Sequence, residues 1–462
     1  MPSKSLGTFR ALRALLTLLA TVLAVAYVSS AYGQINNNSG YNNRAVGGIS
    51  IDTNGLLKNS TTDDLGALAN LRGKVLEQVP GDLNAATELR KVSLRRLEAA
   101  IVECAKQKKE LPDAVQYLAG LQRIRYVFVY PEEQDIVLVG PAEGWKVDKR
   151  GNVVGVTTGR PVMQLDDLLV ALRTARQAAQ GGISCSIDPT REGMELLRAH
   201  ASKLKTIGNP QNTAAGIEQV LGLQQITVSG VPATSHFARV LVAADYRMKR
   251  IAMNFEPAPV RGLPSFLQMM TATGRGMSNM LPRWWLEPKY DSLLRDAAGL
   301  AWELRGASVK AMTEEDFLEA NGTRTHTGKA NPVAQKWADN MTQKYDQLAV
   351  AEPVFGELQN CMDLAIVGAL VVKEGLLEKA GHALPVLMDT SAAEVQPAAF
   401  FAPKTVASQA SVLKKGTNWV ISASGGVLLN SWAIAAKTQQ SDAPAQVRTK
   451  AGPGATKSFW WN

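Results

Sequence analysis

The sequence predicts a mixed α/β to α+β fold in which helices pack on one or more mixed sheets. Its 462 residues exceed one average domain and favour two or three. Apolar residues make up 46% of the chain, enough to form hydrophobic cores, and charged residues only 20%, too few for a disordered polyampholyte. Strand-like and helix-like hydrophobic patterns alternate through the middle of the chain.

The first 33 residues have the composition of a secretory signal peptide. Three basic residues precede an apolar run over 14–28, and small residues end the segment at Gly33. The basic residues are Lys4, Arg10 and Arg13. We therefore expect a secreted or periplasmic protein, cleaved after Gly33. An uncleaved anchor is the alternative, disfavoured because a membrane-spanning helix needs about 20 apolar residues.

The charge of the mature chain argues against a nucleic-acid partner. The full chain carries 50 basic and 41 acidic residues, and loss of the three basic signal residues lowers its net charge from +9 to +6. So small a positive excess is weak support for nucleic-acid binding. No membrane span is expected after cleavage, because the apolar stretch 364–372 is short and flanked by Asp363 and Lys373. For an exported chain we expect an envelope protein or polymer as partner.

Three cysteines, Cys104, Cys185 and Cys361, allow one disulfide at most. Each falls on an apolar face of its segment, which favours buried, inert thiols over a disulfide. No C-x-x-C pair is present, so the cysteines give no support for a zinc or redox site.

Residues 34–45 form an Asn-rich linker. Residues 46–122 are predicted to hold a β-hairpin, over 47–57, followed by a helical segment. Within that segment, one apolar stripe over 85–109 predicts a long helix whose basic residues form a solvated face.

Residues 123–255 are predicted to form an α/β core domain, because short β-branched and aromatic runs alternate with helical patterns. In one expected helix start, Asp188 is the N-cap and Pro189 the first helical residue. The strands are expected at 126–130, 135–140, 181–188, 223–230 and 250–255, a further hairpin at 145–157, and the other helices from about 165 and over 234–249.

The rest of the chain is more varied in composition. Residues 256–290 are rich in Pro, Met and Trp and are predicted to be a connector. Residues 291–381 are predicted to hold a hairpin, over 299–313, and an αα-hairpin near 332–377 that Asn331 caps. After these come a linker with a short C-terminal β segment over 382–437, and a flexible tail over 438–462.

No common catalytic or metal-binding motif is present: HExxH, GxSxG, GxGxxG and the EF-hand pattern are all missing from the sequence. The four histidines are far apart, and none has a His or Cys partner at metal-ligand spacing. The sequence therefore predicts no cofactor, no metal site and no catalytic residue.

One helix start is a candidate anion or ligand site. Thr234, Ser235, His236 and Arg239 lie where a strand turns into a helix, and the free N–H groups of a helix start bind anions. The alternative is an ordinary N-cap, which Thr234 or Ser235 would supply. Asp166 and Asp167 begin another predicted helix, where acidic residues offset the helix dipole.

A second candidate is a contact surface of methionine and tryptophan side chains. Its residues are Met277, Met280, Trp284, Trp285, Trp460 and Trp461. Methionine-rich surfaces adapt to partners, and exposed apolar patches mark interaction sites. Packing of a short core helix and copper(I) binding are the alternatives.

The run 127–173, which begins VFVYPEEQDIVLVG, resembles a family of exported planctomycete proteins of unknown function. Blocks at 47–57, 231–257, 281–291, 353–371 and 424–430 look like the same family. The resemblance implies export and an uncharacterised domain. It carries over no catalytic residue, because the family has no assigned activity.

These observations favour a non-catalytic binding or scaffold protein of the cell envelope. One alternative is a hydrolase of an envelope polymer with a composite site drawn from His236, Asp245 and Glu143. Another is a small-molecule or anion receptor that uses the helix start at Thr234.

Overall fold

The computed structural model confirms the predicted class: an α+β fold with mixed sheets and 15 helices in the described part of the chain. The described residues are 48–59, 79–203, 209–273, 280–318, 324–326, 328–415, 418–420, 424–453 and 460–461. The predicted signal peptide, 1–33, and linker, 34–45, lie outside them. All described residues belong to one unit, Arg44–Asn462.

Nineteen strands lie in the described residues, most of them short. They are β1 (Ile49–Ile51), β2 (Leu56–Asn59), β3 (Thr87–Ser93), β4 (Tyr126–Tyr130), β5 (Asp135–Ala142), β6 (Trp145–Val147), β7 (Val153–Gly155), β8 (Ile183–Pro189), β9 (Leu223–Ser229), β10 (Met280–Lys289), β11 (Leu293–Arg295), β12 (Ala301–Glu303), β13 (Ser308–Leu318), β14 (Arg324–His326), β15 (Thr405–Ala407), β16 (Ser411–Lys415), β17 (Asn418–Val420), β18 (Ser424–Leu429) and β19 (Thr438–Gln440).

The described helices vary from one turn to six turns. They are α1 (Gly81–Asn84), α2 (Leu94–Lys106), α3 (Asp113–Gln116), α4 (Leu165–Gly181), α5 (Arg191–Ala201), α6 (Pro210–Leu221), α7 (His236–Ala252), α8 (Phe266–Thr273), α9 (Pro332–Gln343), α10 (Tyr345–Ala351), α11 (Pro353–Lys373), α12 (Leu376–Ala380), α13 (Pro385–Met388), α14 (Ser431–Ala436) and α15 (Ala443–Ala451). Short 3₁₀ turns occur at Leu118–Gly120 and Pro131–Glu133.

The larger sheet has nine described strands in the order β1-β2-β15-β9-β8-β18-β10-β13-β14. Strand β10 pairs antiparallel with β13 along its length and parallel with β18 over 283–286. Gly425 in β18 permits that parallel pairing. Its φ is +134°, and a Cβ atom there would lie 1.5 Å from the carbonyl oxygen of Trp284.

The smaller sheet has six described strands in the order β19-β11-β12-β4-β5-β3. The predicted hairpins are confirmed as β1–β2, β4–β5 and β6–β7. The strands of 123–255, however, are divided between the sheets: β4 and β5 lie in the smaller one, β8 and β9 in the larger one. Pairing with strands from distant parts of the chain decides this division, and hydrophobic periodicity carries no information about it.

Helix α11 lies at the centre of the helical layer, against α4, α7, α10 and α14. Its residues are buried from Pro353 to Val371. In the described part of the chain it is the one helix long and apolar enough to cross a membrane, a test that core helices also pass, and its apolar window is wholly buried. The first helix of the predicted αα-hairpin is divided into α9 and α10. Helix α10 packs against α11, and the Oδ1 atom of Asn331 caps α9.

The long helix predicted over 85–109 is wrong in its first half. Residues 87–93 form β3, which pairs with β5 at the edge of the smaller sheet. The helix begins at Leu94, where the hydroxyl of Ser93 accepts a hydrogen bond from the N–H of Arg96 at 3.1 Å. The stretch before Leu94 is so short that its apolar residues fit the spacing of a helix as well as that of a strand. Pairing with β5 makes it a strand.

Two predicted boundaries around α5 and α7 are also wrong. Pro189 ends β8, where it pairs with Gln224, and Thr190 is the N-cap of α5 instead of Asp188. The strand predicted over 250–255 does not form, because α7 continues to Ala252. Met248, Ile251 and Ala252 extend the buried stripe of that helix by one more turn.

The predicted connector over 256–290 contains regular structure, α8 and the central strand β10. Two prolines conceal the strand, because proline lacks the N–H that a central strand donates. Pro282 and Pro288 flank the stretch 283–286 that pairs with β18, so neither interrupts that ladder.

Corrections apply near the C-terminus too. The hairpin predicted over 299–313 is wrong, because β12 lies in the smaller sheet and β13 in the larger one. The β segment predicted within 382–437 is confirmed as β15 to β18, but α14 follows it. The predicted flexible tail holds β19 and α15, and β19 extends the smaller sheet at β11.

Candidate functional site

Two candidate features lie at the two ends of helix α7. The helix has 17 residues and is therefore about 25 Å long. Its N-terminal end holds the predicted ligand residues, of which Ser235, His236 and Arg239 are buried. Its C-terminal end leads into a cleft.

Ser235 caps α7, as the alternative to a ligand site predicted. Its Oγ accepts a hydrogen bond from the N–H of Ala238 at 3.1 Å and donates one to the carbonyl oxygen of Pro232 at 2.7 Å. The neighbouring carbonyl oxygen of Thr234 accepts a hydrogen bond from the N–H of Phe400 at 2.7 Å. The N–H of Ala238 and the carbonyl oxygen of Thr234 are therefore already bonded within the protein.

The imidazole of His236 is buried against a carboxylate of α4. Its Nδ1 lies 3.0 Å from Oδ2 and 3.1 Å from Oδ1 of Asp167, and the residue is only 6% exposed. Burial lowers the pKa of His236, but the charge and hydrogen bond of Asp167, together with the charges of Glu357 and Asp166, raise it, and the net shift is upward. On its other side, Nε2 lies 3.3 Å from Nε2 of Gln164.

Glu357 of α11 is the third titratable group of this cluster. Complete burial raises the pKa of its carboxyl to about 7, although the nearby charge of His236 opposes the shift. Its Oε2 has no hydrogen-bond partner among the described residues. We call Asp167, His236 and Glu357 the buried triad, and it joins α4, α7 and α11.

The segment around Phe400 covers the buried triad. The Phe400 ring lies 6.1 Å from the imidazole of His236, and the guanidinium of Arg239 lies 4.8 Å from the same ring. The N–H of Ala398 donates a hydrogen bond to Oδ2 of Asp166 at 3.3 Å. Burial lowers the pKa of Arg239 to about 10. The four predicted site residues are thus close together; Ser235, His236 and Arg239 are buried, whereas Thr234 is exposed.

The sequence did not predict the triad. Asp167 was assigned to the dipole of α4, a role that its position in the first turn still allows. The partner histidine is 69 positions away in sequence, so only tertiary structure brings the two together. One signal was present: His236 lies among apolar residues on a buried helix, where a polar group needs a partner.

Two of the three residues suggested for a composite hydrolase have partners of their own, away from His236 in the hydrogen-bond network. Asp245 follows His236 by nine positions, about 13.5 Å along the helix axis, and its Oδ2 accepts a hydrogen bond from Nζ of Lys249 at 2.8 Å. Glu143 accepts hydrogen bonds from the N–H groups of Thr157 and Thr158, both at 2.9 Å. Each of these carboxylates therefore has a structural role elsewhere.

All three cysteines are free thiols, so none of them pairs. Cys185 and Cys361 are buried, as predicted, whereas Cys104 is half-buried. Burial raises the pKa of both buried thiols, which makes them poor nucleophiles.

Two of the four tryptophans in the predicted contact surface are interior and two are half-buried. Trp284 is fully buried and Trp460 is 5% exposed, so both pack in the core. Trp285 and Trp461 are half-buried, and their indole N–H groups donate to Glu287 and Asp82. Met280 begins β10, whereas Met277 lies outside the described residues.

A cleft of about 400 Å³ opens beyond the C-terminal end of α7. It is lined by residues 254–258 together with Leu263, Ser265 and Gln268. Asn254 has a left-handed backbone, with φ +58°, and turns the chain away from the helix. The side chains of Asn254 and Gln268 are exposed and that of Phe255 is half-buried. The sequence indicated only a Pro-rich connector here.

Two arginines of α7 hold the carboxylate of the cleft. Oε2 of Glu256 accepts hydrogen bonds from Arg247 at 2.9 Å and from Arg250 at 3.0 Å. Arg247 also donates to Glu352, at the start of α11, at 2.7 Å. The other oxygen of Glu256, Oε1, is buried without a hydrogen-bond partner among the described residues.

A reciprocal capping box fixes the opposite wall of the cleft. The hydroxyl of Ser265 accepts a hydrogen bond from the N–H of Gln268 at 3.1 Å, and Oε1 of Gln268 accepts one from the N–H of Ser265 at 2.9 Å. This arrangement starts α8 and leaves the amide N–H groups of Gln268 at the cleft.

Within the described ranges, no group of three His, Cys, Asp or Glu side chains is placed to hold a metal ion. Residues 185–266 match the model of a family described as a protein of unknown function (DUF1598). The expected resemblance to an uncharacterised family is thereby confirmed over these residues, which include all of α7 and most of the cleft. No curated protein and no solved structure matches the chain.

Proposed function

We propose that the chain is an exported, non-catalytic binding protein of the cell envelope, and that it takes a small ligand in the cleft beyond α7. The composition of the first 33 residues supports export. The cleft supports binding, because its volume of about 400 Å³ falls within the range of about 300–1,000 Å³ typical of small-molecule sites.

The observation that carries the proposal is the difference in access between the two ends of α7. His236 is 6% exposed and lies beneath Phe400, so a ligand has no path to its imidazole without movement of that segment. The cleft instead presents the exposed side chains of Asn254 and Gln268. A ligand can reach these groups without rearrangement of the fold.

The walls of the cleft are held in place before any ligand arrives. The ion pairs of Glu256 with α7 fix one wall, and the capping box of Ser265 and Gln268 fixes the other. A preorganised site loses less conformational entropy on binding, which favours affinity.

Thermal unfolding with a panel of neutral saccharides, dipeptides and nucleosides tests the binding proposal. A ligand present at 100 times its Kd adds about 2.7 kcal/mol to the free energy of unfolding. Ala258→Trp fills the cleft and should abolish the shift. Ala199→Trp, the same change on an exposed face of α5, should retain it.

Circular dichroism must first show that both variants are folded. A folded Ala258→Trp protein that keeps the full ligand-induced shift would contradict the proposed site. Export has its own test: intact mass of the protein recovered from the native envelope should correspond to a chain that begins at Gln34. Recovery of the full-length chain from the cytoplasm would overturn this part.

A second candidate function, a hydrolase of an envelope polymer, is favoured by one contact. The 3.0 Å contact between Asp167 and His236 has the geometry of a carboxylate that orients an imidazole for general acid–base catalysis. It requires displacement of the segment around Phe400. Turnover of envelope polysaccharide or peptide by the purified chain, abolished in His236→Asn, would favour this candidate over the binding protein.

A further inference from the structure

We infer that the ligand of the cleft is a short neutral saccharide. This inference rests on the proposed function, since it takes the cleft beyond α7 as the ligand site, and it adds the chemical class of the ligand. Three properties of the lining carry it: mixed donors and acceptors, a compensated charge, and apolar side chains beside the polar groups.

The polar groups of the cleft include both donors and an acceptor. The amides of Asn254 and Gln268 offer N–H groups, and the amide oxygen of Asn254 is an acceptor. Both residues are exposed, so a ligand in the cleft reaches these groups directly. Sugar hydroxyls both donate and accept, which suits such a mixed lining.

The charge of the cleft favours a neutral ligand. Glu256 is the only charged residue among the described residues of the lining, and its carboxylate already pairs with Arg247 and Arg250. A cationic ligand would therefore meet a carboxylate whose charge is compensated. Those same described residues include no lysine or arginine, so an anion would find no cation among them.

The apolar part of the lining suits the C–H faces of a sugar ring. Phe255, Pro257, Ala258 and Leu263 contribute carbon surface beside the polar groups. Small-molecule sites typically combine apolar walls with a few placed polar groups that fix orientation. A saccharide presents this same combination, with ring carbons on its faces and hydroxyls at its edge.

Calorimetric titration of the mature chain with cellobiose, maltose and N,N′-diacetylchitobiose tests the inference. At least one of the three should bind the wild type. Asn254→Gly should weaken that binding at least tenfold, because it removes the amide. Glycine adopts positive φ without strain, so this variant keeps the backbone of the cleft.

Gln134→Gly is the matched control. Gln134 also has positive φ, +50°, and is exposed in the turn between β4 and β5. The Gln134→Gly variant should bind the saccharide with the affinity of the wild type. Phe255→Ala is a second test of the site. It removes apolar contact with the sugar ring, so the affinity for the saccharide should fall at least tenfold.

Two results would overturn the inference. One is failure of all three disaccharides to bind the folded wild type at millimolar concentration. The other is saccharide binding that neither Asn254→Gly nor Phe255→Ala weakens. In either case a dipeptide or nucleoside that binds the wild type, but not Ala258→Trp, would leave the proposed function standing with a different ligand class.

Discussion

The two ends of α7 satisfy their polar groups in opposite ways. At the N-terminal end, Asp167, His236 and Glu357 are removed from water and interact with one another. At the C-terminal end, Asn254 and Gln268 remain in contact with solvent, and only Glu256 has internal ion pairs. Buried polar groups without partners are costly, so the contact of His236 with Asp167 offsets part of the cost of burying them. The open end keeps hydrogen-bonding capacity for a ligand.

The largest effect that this comparison predicts is the loss of stability when the carboxylate of Asp167 is removed. Asp167→Ala leaves His236 buried without its carboxylate, and loss of one member of a buried ion pair typically costs about 3–5 kcal/mol. Asp166→Ala is the adjacent control, because Asp166 accepts a backbone hydrogen bond at the longer distance of 3.3 Å. Its cost should be about 1 kcal/mol. Urea unfolding measures the free energy of unfolding of both variants. Equal losses would mean that the contact of Asp167 with His236 contributes no more to stability than the hydrogen bond of Asp166.

The next prediction is that the free energy of unfolding falls as pH rises, because Glu357 and His236 of the buried triad lose their protons. The pKa of Glu357 is raised from its ordinary 4.5 to about 7, so the folded chain holds its proton more tightly. The contribution of Glu357 is therefore fully present below about pH 4.5 and is lost as pH rises through about 7. The raised pKa of His236 acts in the same direction, from its ordinary 6.5 upward.

Glu357→Gln isolates this contribution, because it keeps the shape of the neutral acid and cannot ionise. The wild type should lose a few kcal/mol more than the variant between about pH 5 and about pH 8. Urea midpoints at both pH values measure the difference. Parallel pH profiles of the two proteins would show that Glu357 is not held neutral in the folded chain.

A smaller effect is expected at the cap of α7. Ser235→Ala removes the acceptor for the N–H of Ala238 and should cost about 1 kcal/mol, as loss of an N-cap usually does. Thr234→Ala, at an exposed position beside it, should be nearly neutral. Ligand binding in the cleft should be unchanged in both. A loss of binding in Ser235→Ala would restore the helix start as a ligand site.

The sequence is informative where local chemistry decides the structure. The cap of α9 by Asn331 and the hairpin of β4 and β5 follow from residues adjacent in the chain. It is uninformative where distant segments meet. Prolines 282 and 288 concealed the central strand, and the pairing of Asp167 with His236 depends on how α4 packs against α7. The cleft depends on the turn at Asn254, which was predicted to be a strand.

The variant with the smallest expected change in stability best distinguishes a role in ligand binding from a role in stability. Gln268→Glu retains an acceptor for the N–H of Ser265, and Glu suits the third position of a capping box as well as Gln does. Stability should therefore change by less than about 0.5 kcal/mol. The substitution removes the amide donors and adds a charge, so binding of a neutral ligand should weaken. Titration measures the affinity of the variant for the ligand, and urea unfolding measures its stability. Unchanged affinity would show that Gln268 stabilises the start of α8 but does not contact the ligand.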